Sequence, residues 1–326
     1  MTFAQGDNSS MNNLFDGREG GQSISDVERE TGVAKETLRV WERRYGFPIP
    51  ARDHLGQRIY VDTDLAKLRL VKRLIDQGHR PGKIVGLGIA ELDDLAQACS
   101  VMRRPAMDRD RTAELQDCLE LCRSNRSGDL RFKLAEVMLQ MGLHTFVVDF
   151  LAPMNVMVGE AWASGKIAVF EEHLYTEVVN VVMRQAIATI PAKREGESAP
   201  RMLLTTMPQE RHGLGLLMVG ALAALEGANC ISLGVQTPIG DIVKAASQHR
   251  ADIVALSFSS AMRPAQVMDG LRELRTGLPE SIDIWAGGSA SVLKRRSLES
   301  ARVLNLPEIA GELKAWRERH AFKSNA

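Results

Sequence analysis

The six residues Glu210-Arg211-His212-Gly213-Leu214-Gly215 carry the plainest chemistry in the chain. An imidazole can give one ring nitrogen to a metal, and a carboxylate two residues earlier can hold the other nitrogen and raise its basicity. Glycines beside it let a bulky planar group approach the backbone. The combination suits an axial ligand for a metal set in a flat macrocycle. Alone, Glu210-x-His212-x-x-Gly215 also describes a polar loop with a solvated histidine, so its meaning depends on the elements around it.

Those elements are a strand-like apolar run, Met202 to Met207, and a long Gly/Ala-rich apolar helix, Leu216 to Leu225. From Arg201 onward short apolar strands (201–207, 229–234, 251–257, 282–286 and 301–305) alternate with helical patterns such as Ile239 to Gln248 and Pro264 to Leu274. Such alternation predicts a doubly wound, parallel, Rossmann-like sheet over 201–322. Ligands of such sheets sit beyond the carboxyl ends of the strands, where His212, Ser257 and Gly287-Gly288 all fall. Before it, residues 113–190 keep helical apolar spacing, as in Leu134/Val137/Met138/Met141. Breaks at Asn125 to Gly128, Gly142 to His144 and Ser164-Gly165 predict a four-helix bundle.

The chain has 326 residues, 44% hydrophobic and 25% charged, which predicts a soluble, cytoplasmic protein of two or three domains. No apolar run of membrane-spanning length is expected, no signal peptide is read at the N-terminus, and no membrane partner is implied. Residues 1–22 read as a disordered tail, 23–93 as a compact helical unit, and 94–112 and 191–200 as linkers. The four cysteines include no CxxC pair. Cys118 and Cys122, at helical spacing, read as buried free thiols. Net charge is zero, but Ser23 to Gly88 holds 13 Lys and Arg against 9 Asp and Glu, a modest footprint for a polyanion.

In that basic stretch Ser25-Asp26-Val27-Glu28 reads as a capping box. A short helix ends near Thr31-Gly32, and a second runs from Lys35 through Tyr45, together a helix-turn-helix. Gly32-Val33-Ala34-Lys35-Glu36-Thr37-Leu38-Arg39-Val40-Trp41-Glu42 resembles the DNA-binding domain of MerR-type regulators, and Gly56-Gln57-Arg58-Ile59-Tyr60 its wing. The resemblance covers about residues 23–90 and implies double-stranded operator DNA as partner. Lys35, Thr37, Arg39 and Arg43 are then expected at the major groove, and Arg52, Arg58 and Tyr60 on phosphate or the flanking minor groove, where His54 could also touch phosphate. Leu38 and Trp41 are expected in the core. Gly78 and Pro81 suggest a short helix after the wing, which shifts self-association, as dimer or tetramer, to the C-terminal part.

A helical bundle followed by a doubly wound domain with this loop resembles the cobalamin-binding module of methionine synthase and the mutases. That family shows D-x-H-x-x-G, then S-x-L, then G-G. The resemblance implies that His212 is the lower cobalt ligand, that Glu210 supports it, and that Gly215, Ser257, Gly287 and Gly288 accommodate the cofactor's nucleotide tail. Two departures stand out: the acid is Glu rather than Asp, and Ser257-Phe258-Ser259 lacks the leucine. In the bundle, Trp162 followed by Glu172-His173 resembles the light-sensing branch of regulators that join a MerR reader to a cobalamin module. By that resemblance Trp162 covers the upper face of the cofactor, Glu172 contacts the adenosyl group, and His173 is an upper cobalt ligand after photolysis.

The expected function is therefore a non-enzymatic, light-responsive repressor that holds DNA with adenosylcobalamin in the dark and releases it after photolysis. Methylcobalamin would fit the same site. Three alternatives share most of these residues: a light-independent cobalamin sensor, a heme-binding regulator that uses His212 for iron, and a corrinoid methyl carrier.

Overall fold

The computed structural model describes residues 21–53, 55–76, 79–101, 109–191, 199–294 and 298–321. The chain divides into two compact units that part near residue 98, the second taking in residue 76.

In the first unit β1 (Gly21–Ser23), β2 (Ala51–Arg52) and β3 (Arg58–Val61) form an antiparallel sheet in the order β1-β3-β2. Helices α1 (Ile24–Thr31) and α2 (Lys35–Tyr45) make the helix-turn-helix. The turn works because Gly32 adopts φ +68°, a conformation that costs glycine little. The capping residue is Ser23, not Ser25: its Oγ accepts the Asp26 N–H at 3.3 Å. Glu28, expected to close a box within α1, instead accepts the Lys35 N–H at 3.2 Å. That contact supplies α2, whose own cap position is Ala34, with a carboxylate at its N-terminus. Val27, Leu38, Trp41, Tyr60, Leu68 and Val71 form the core. Helix α3 (Asp62–Asp76) follows the wing, then α4 (Pro81–Ile84) and α5 (Ile89–Val101). The linker expected from residue 94 thus begins inside a helix, and residues 102–108 of it lie outside the described residues.

The second unit opens with α6 (Arg109–Arg123), α7 (Ser127–Met141), α8 (Leu143–Thr145), α9 (Ala152–Ala163) and α10 (Val169–Ala188). Between α8 and α9, Phe146–Leu151 form a π-helical turn, so Leu143–Ala163 runs as one rod. Pro153 has no N–H to give the carbonyl four residues back, and the wider turn accommodates the deficit: Ala152 N–H bonds to Val147 C=O instead. Contrary to expectation, this 21-residue rod is long and apolar enough to cross a membrane by length and composition, with a mean hydropathy of 1.2. Its apolar residues, among them Phe146, Val147, Phe150, Leu151 and Met154, are the buried core of the bundle, and it carries Asp149 and Glu160.

The sheet is parallel, in the order β5-β4-β6-β7-β8, from β4 (Arg201–Thr205), β5 (Asn229–Gly234), β6 (Ile253–Phe258), β7 (Asp283–Gly288) and β8 (Arg302–Val303). Strand alternation sends Leu203, Val254, Leu256 and Ile284 to one face, against α12 (Ile239–Gln248) and α13 (Pro264–Gly277). Met202, Leu204, Ala255 and Trp285 face the other way, against α11 (Leu214–Leu225) and α14 (Ile309–Ala321). Helix α11 is apolar all round because it is covered twice, by the sheet beneath and by the bundle above, where α10 packs along it. Tyr175 of α10 donates to Asn155 Oδ1 of α9 at 2.5 Å, and the Asn155 amide reaches the Met218 sulfur of α11 at 3.6 Å.

Candidate metal-ligand loop and nucleic-acid interface

Strand β4 ends at Thr205, and the chain turns through residues 206–213 before α11 begins. Thr206 is fully buried and pins this loop: its hydroxyl donates to the Glu210 carbonyl at 2.6 Å and accepts the Gln236 N–H at 2.8 Å. Glu210, 1% exposed, is held by three donors. Its Oε1 accepts the His212 N–H at 2.9 Å and His212 Nδ1 at 2.6 Å, and its Oε2 accepts the Ser259 N–H at 2.7 Å. Burial pushes the carboxyl up, but the His212 ring and the His212 and Ser259 amides together hold it below its ordinary value. An ionised carboxylate at this distance requires the ring proton on Nδ1. Nε2 is then left with its lone pair, on a side chain that is 54% exposed.

Around the loop several glycines are fixed by close approach. A Cβ on Gly215 would fall 2.2 Å from Ser257 Oγ, and one on Gly213 would lie 3.0 Å from Val235. Gly288 has φ +113°, and a Cβ there would lie 2.2 Å from the Phe258 carbonyl oxygen. The glycine pair expected to leave room for a tail is thus already required by contact between the ends of β6 and β7, where Ser257 pairs with Gly287 and Phe258 with Gly288.

Among the described residues no group of three or more His, Cys, Asp and Glu stands together as a metal cage. One oriented imidazole matches a metal whose other positions are filled by a macrocycle rather than by protein. The donor set therefore fits the group that the loop suggested.

The bundle residues are placed on the helices that cover α11. Trp162, at the end of α9, is partly buried against the core shared with α11. Glu172 and His173 lie in the first turns of α10; Glu172 accepts the Thr176 hydroxyl at 2.9 Å, and His173 is 71% exposed with Nε2 3.7 Å from Glu172. Helix α11 relates the two sets: it begins two residues after His212, and α10 packs on its flank.

In the first unit Arg39 and Arg43 are exposed on α2, while Lys35 and Thr37 are half-buried. The Lys35 ammonium is 3.6 Å from Glu28. On the wing, Arg52 is exposed and donates to the Gly56 carbonyl at 2.8 Å. Arg58 is bound to Glu42 of α2 at 2.9 Å, a bond that raises its already high pKa and braces the wing against the recognition helix. Tyr60 corrects the expected phosphate contacts. It is wholly buried among Leu38, Trp41 and the α3 leucines, and its hydroxyl has no partner among the described residues. Strand alternation turns it inward, opposite to exposed Val61. His54 lies outside the described residues. Sequence reading also passed over Thr206, Glu42 and Ser259, all of which act through hydrogen bonds between segments far apart in the chain.

Comparison with known proteins agrees with both halves of this geometry. Residues 22–87 match the MerR HTH family regulatory protein model, and residues 131–187 and 200–305 match two B12 binding domain models. The chain is 30% identical to the HTH-type transcriptional repressor CarH of Myxococcus xanthus, over 80% of this chain and 86% of that one. It is 29% identical to the repressor CarA of the same organism, over 83% and 88%. Among solved structures, the monomethylamine corrinoid protein of Methanosarcina barkeri superposes with a TM-score of 0.50 at 16% identity, covering 61% of this chain and 96% of that one, a likeness of fold.

Proposed function

Since this chain belongs to the family of B12-binding, MerR-type transcriptional regulators that includes CarH and CarA, we propose that it is a light-responsive repressor, holding operator DNA with adenosylcobalamin in the dark and releasing it after photolysis. The observation that carries the cofactor half of this reading is the 2.6 Å contact between buried Glu210 and His212 Nδ1, which leaves Nε2 as a ligating nitrogen.

His212 would hold cobalt from below. Trp162, Glu172 and His173 would face the upper side from the bundle, and His173, mostly exposed and held only loosely by Glu172, is the candidate upper ligand after photolysis. Gly215, Ser257, Gly287 and Gly288 would border the nucleotide tail. Adenosylcobalamin supplies, when bound, a cobalt–carbon bond that visible light breaks. The two-state element is the contact of α10 with α11, because whatever shifts the bundle on α11 is felt within two residues of His212. DNA release follows if that shift dissolves self-association: two tethered readers bind far more tightly than one, with no base contact altered.

Gel filtration and operator binding with adenosylcobalamin, in the dark and after green light, test the reading. The expected result is a DNA-bound oligomer in the dark and free smaller species after illumination. Cofactor binding with no change on illumination would leave a light-independent cobalamin sensor. Reconstitution with heme and not with adenosylcobalamin would overturn the corrinoid assignment.

A further inference from the structure

Ser259 occupies the position where the related modules carry a leucine, so no ligand role was expected of it. The structure puts it in contact with both members of the metal-ligand pair. Its backbone N–H donates to Glu210 Oε2 at 2.7 Å, and its Oγ lies 3.1 Å from His212 Nδ1. The same Oγ accepts the Ala261 N–H at 3.2 Å, which fixes where the hydroxyl oxygen stands.

We propose that Ser259 is a positioning residue for His212: its hydroxyl oxygen is a second acceptor for the Nδ1 proton, locking the ring's tautomer and its angle so that Nε2 faces outward. The inference rests on His212 being the cobalt ligand, but its first readout does not. Nδ1 carries a proton because ionised Glu210 takes it at 2.6 Å, so Ser259 Oγ meets a donor and must accept. With a single acceptor the imidazole can still rotate about the line from Nδ1 to Glu210. A second acceptor from a different strand end removes that freedom. Glutamate at position 210 makes this arrangement reachable: its carboxylate spans from the His212 backbone to the end of β6, and so draws the Ser259 backbone to the ring.

The test compares Ser259→Ala, which loses the hydroxyl and keeps the N–H, with Ser259→Thr, which keeps both. Nitrogen-15 NMR of the cofactor-free full-length chain reads the His212 tautomer and the solvent exchange of its Nδ1 proton. The expected result is a single Nδ1–H tautomer in the parent and in Ser259→Thr, and in Ser259→Ala a mixture with exchange faster by about 10-fold. Affinity for hydroxocobalamin, with the absorption band of histidine-ligated cobalt, is the second readout. It should fall about 10-fold in Ser259→Ala, the lower end for a lost outer contact to a ligating histidine, and recover in Ser259→Thr. Parent-like tautomer and exchange in Ser259→Ala would overturn the proposal. If the NMR result holds but the parent itself binds no cobalamin, the cofactor reading fails and the positioning of His212 stands.

Discussion

Gly215 lies against Ser257 so closely that a Cβ on the glycine would fall 2.2 Å from the serine hydroxyl oxygen. The first turn of α11 thus rests directly on the end of β6. Gly215→Ala should destabilise the protein by about 1–3 kcal/mol, the range for forcing a methyl into a filled space. Ser257→Gly in the same chain should restore most of the loss. Thermal unfolding of the parent, single and double variants measures it, and additive losses would show that the two sites do not touch.

Glu210→Gln should weaken cobalamin binding by about 10–100-fold, because a neutral amide holds the Nδ1 proton less firmly. Stability should drop by about 1–3 kcal/mol at neutral pH, since Gln turns an amide N–H₂ toward one of the three donors. The folded carboxyl titrates below its ordinary value, so its stabilisation is complete above the ordinary carboxylate range and is lost as pH falls through the depressed one. Parent and variant unfolding curves should therefore converge in acid. His212→Ala should bind cobalamin without the histidine-ligated absorption band.

Arg39→Ala and Arg43→Ala should each weaken operator binding and reduce the salt slope by about 1. Tyr60→Phe should leave affinity unaltered and stability equal or up to about 1 kcal/mol higher, because it removes a buried hydroxyl that has no partner among the described residues. A loss of affinity in Tyr60→Phe, measured by fluorescence anisotropy on operator DNA, would return that residue to the interface.

Cys118 and Cys122 are fully buried on α6, and burial pushes each thiol up from 9.0 to about 12. Iodoacetamide at pH 8 should label neither until denaturant is added, as mass spectrometry would show. Both states are protonated below pH 9, so the thiols add no pH dependence there. Between 9 and 12 the unfolded chain releases these protons first, and stability falls as pH rises. Replacing both with Ala should flatten that alkaline decline.

Features governed by period and local punctuation were legible in the sequence. The limits of α2 and α12, the breaks in the bundle and the parallel strands all follow from apolar spacing, Gly and Pro. His212 and its acid were legible because they lie two residues apart. Ser259 was not, since it meets the ring from 47 residues away through a backbone N–H and a hydroxyl, neither of which leaves a pattern. Tyr60 was misplaced for the opposite reason: its neighbours Arg58 and Gln57 are polar, and a short wing offers too few residues for alternation to declare which face is inward. Ser23 was passed over for Ser25 because a stronger local pattern competed two residues later.

The π-turn at Phe146–Leu151 makes the rod from Leu143 to Ala163 a matter of phase as well as of length. One residue fewer there would let the helix close at ordinary pitch and would turn everything after it by about 100°. Asn155 would swing off Met218, and Trp162 would leave the face that covers α11. A single-codon deletion in this turn is therefore equivalent to re-aiming half the cap, while a deletion in the loop that follows changes only slack. Among related chains, the spacing from this turn to the tryptophan should be far more rigidly kept than the spacing across Ser164-Gly165.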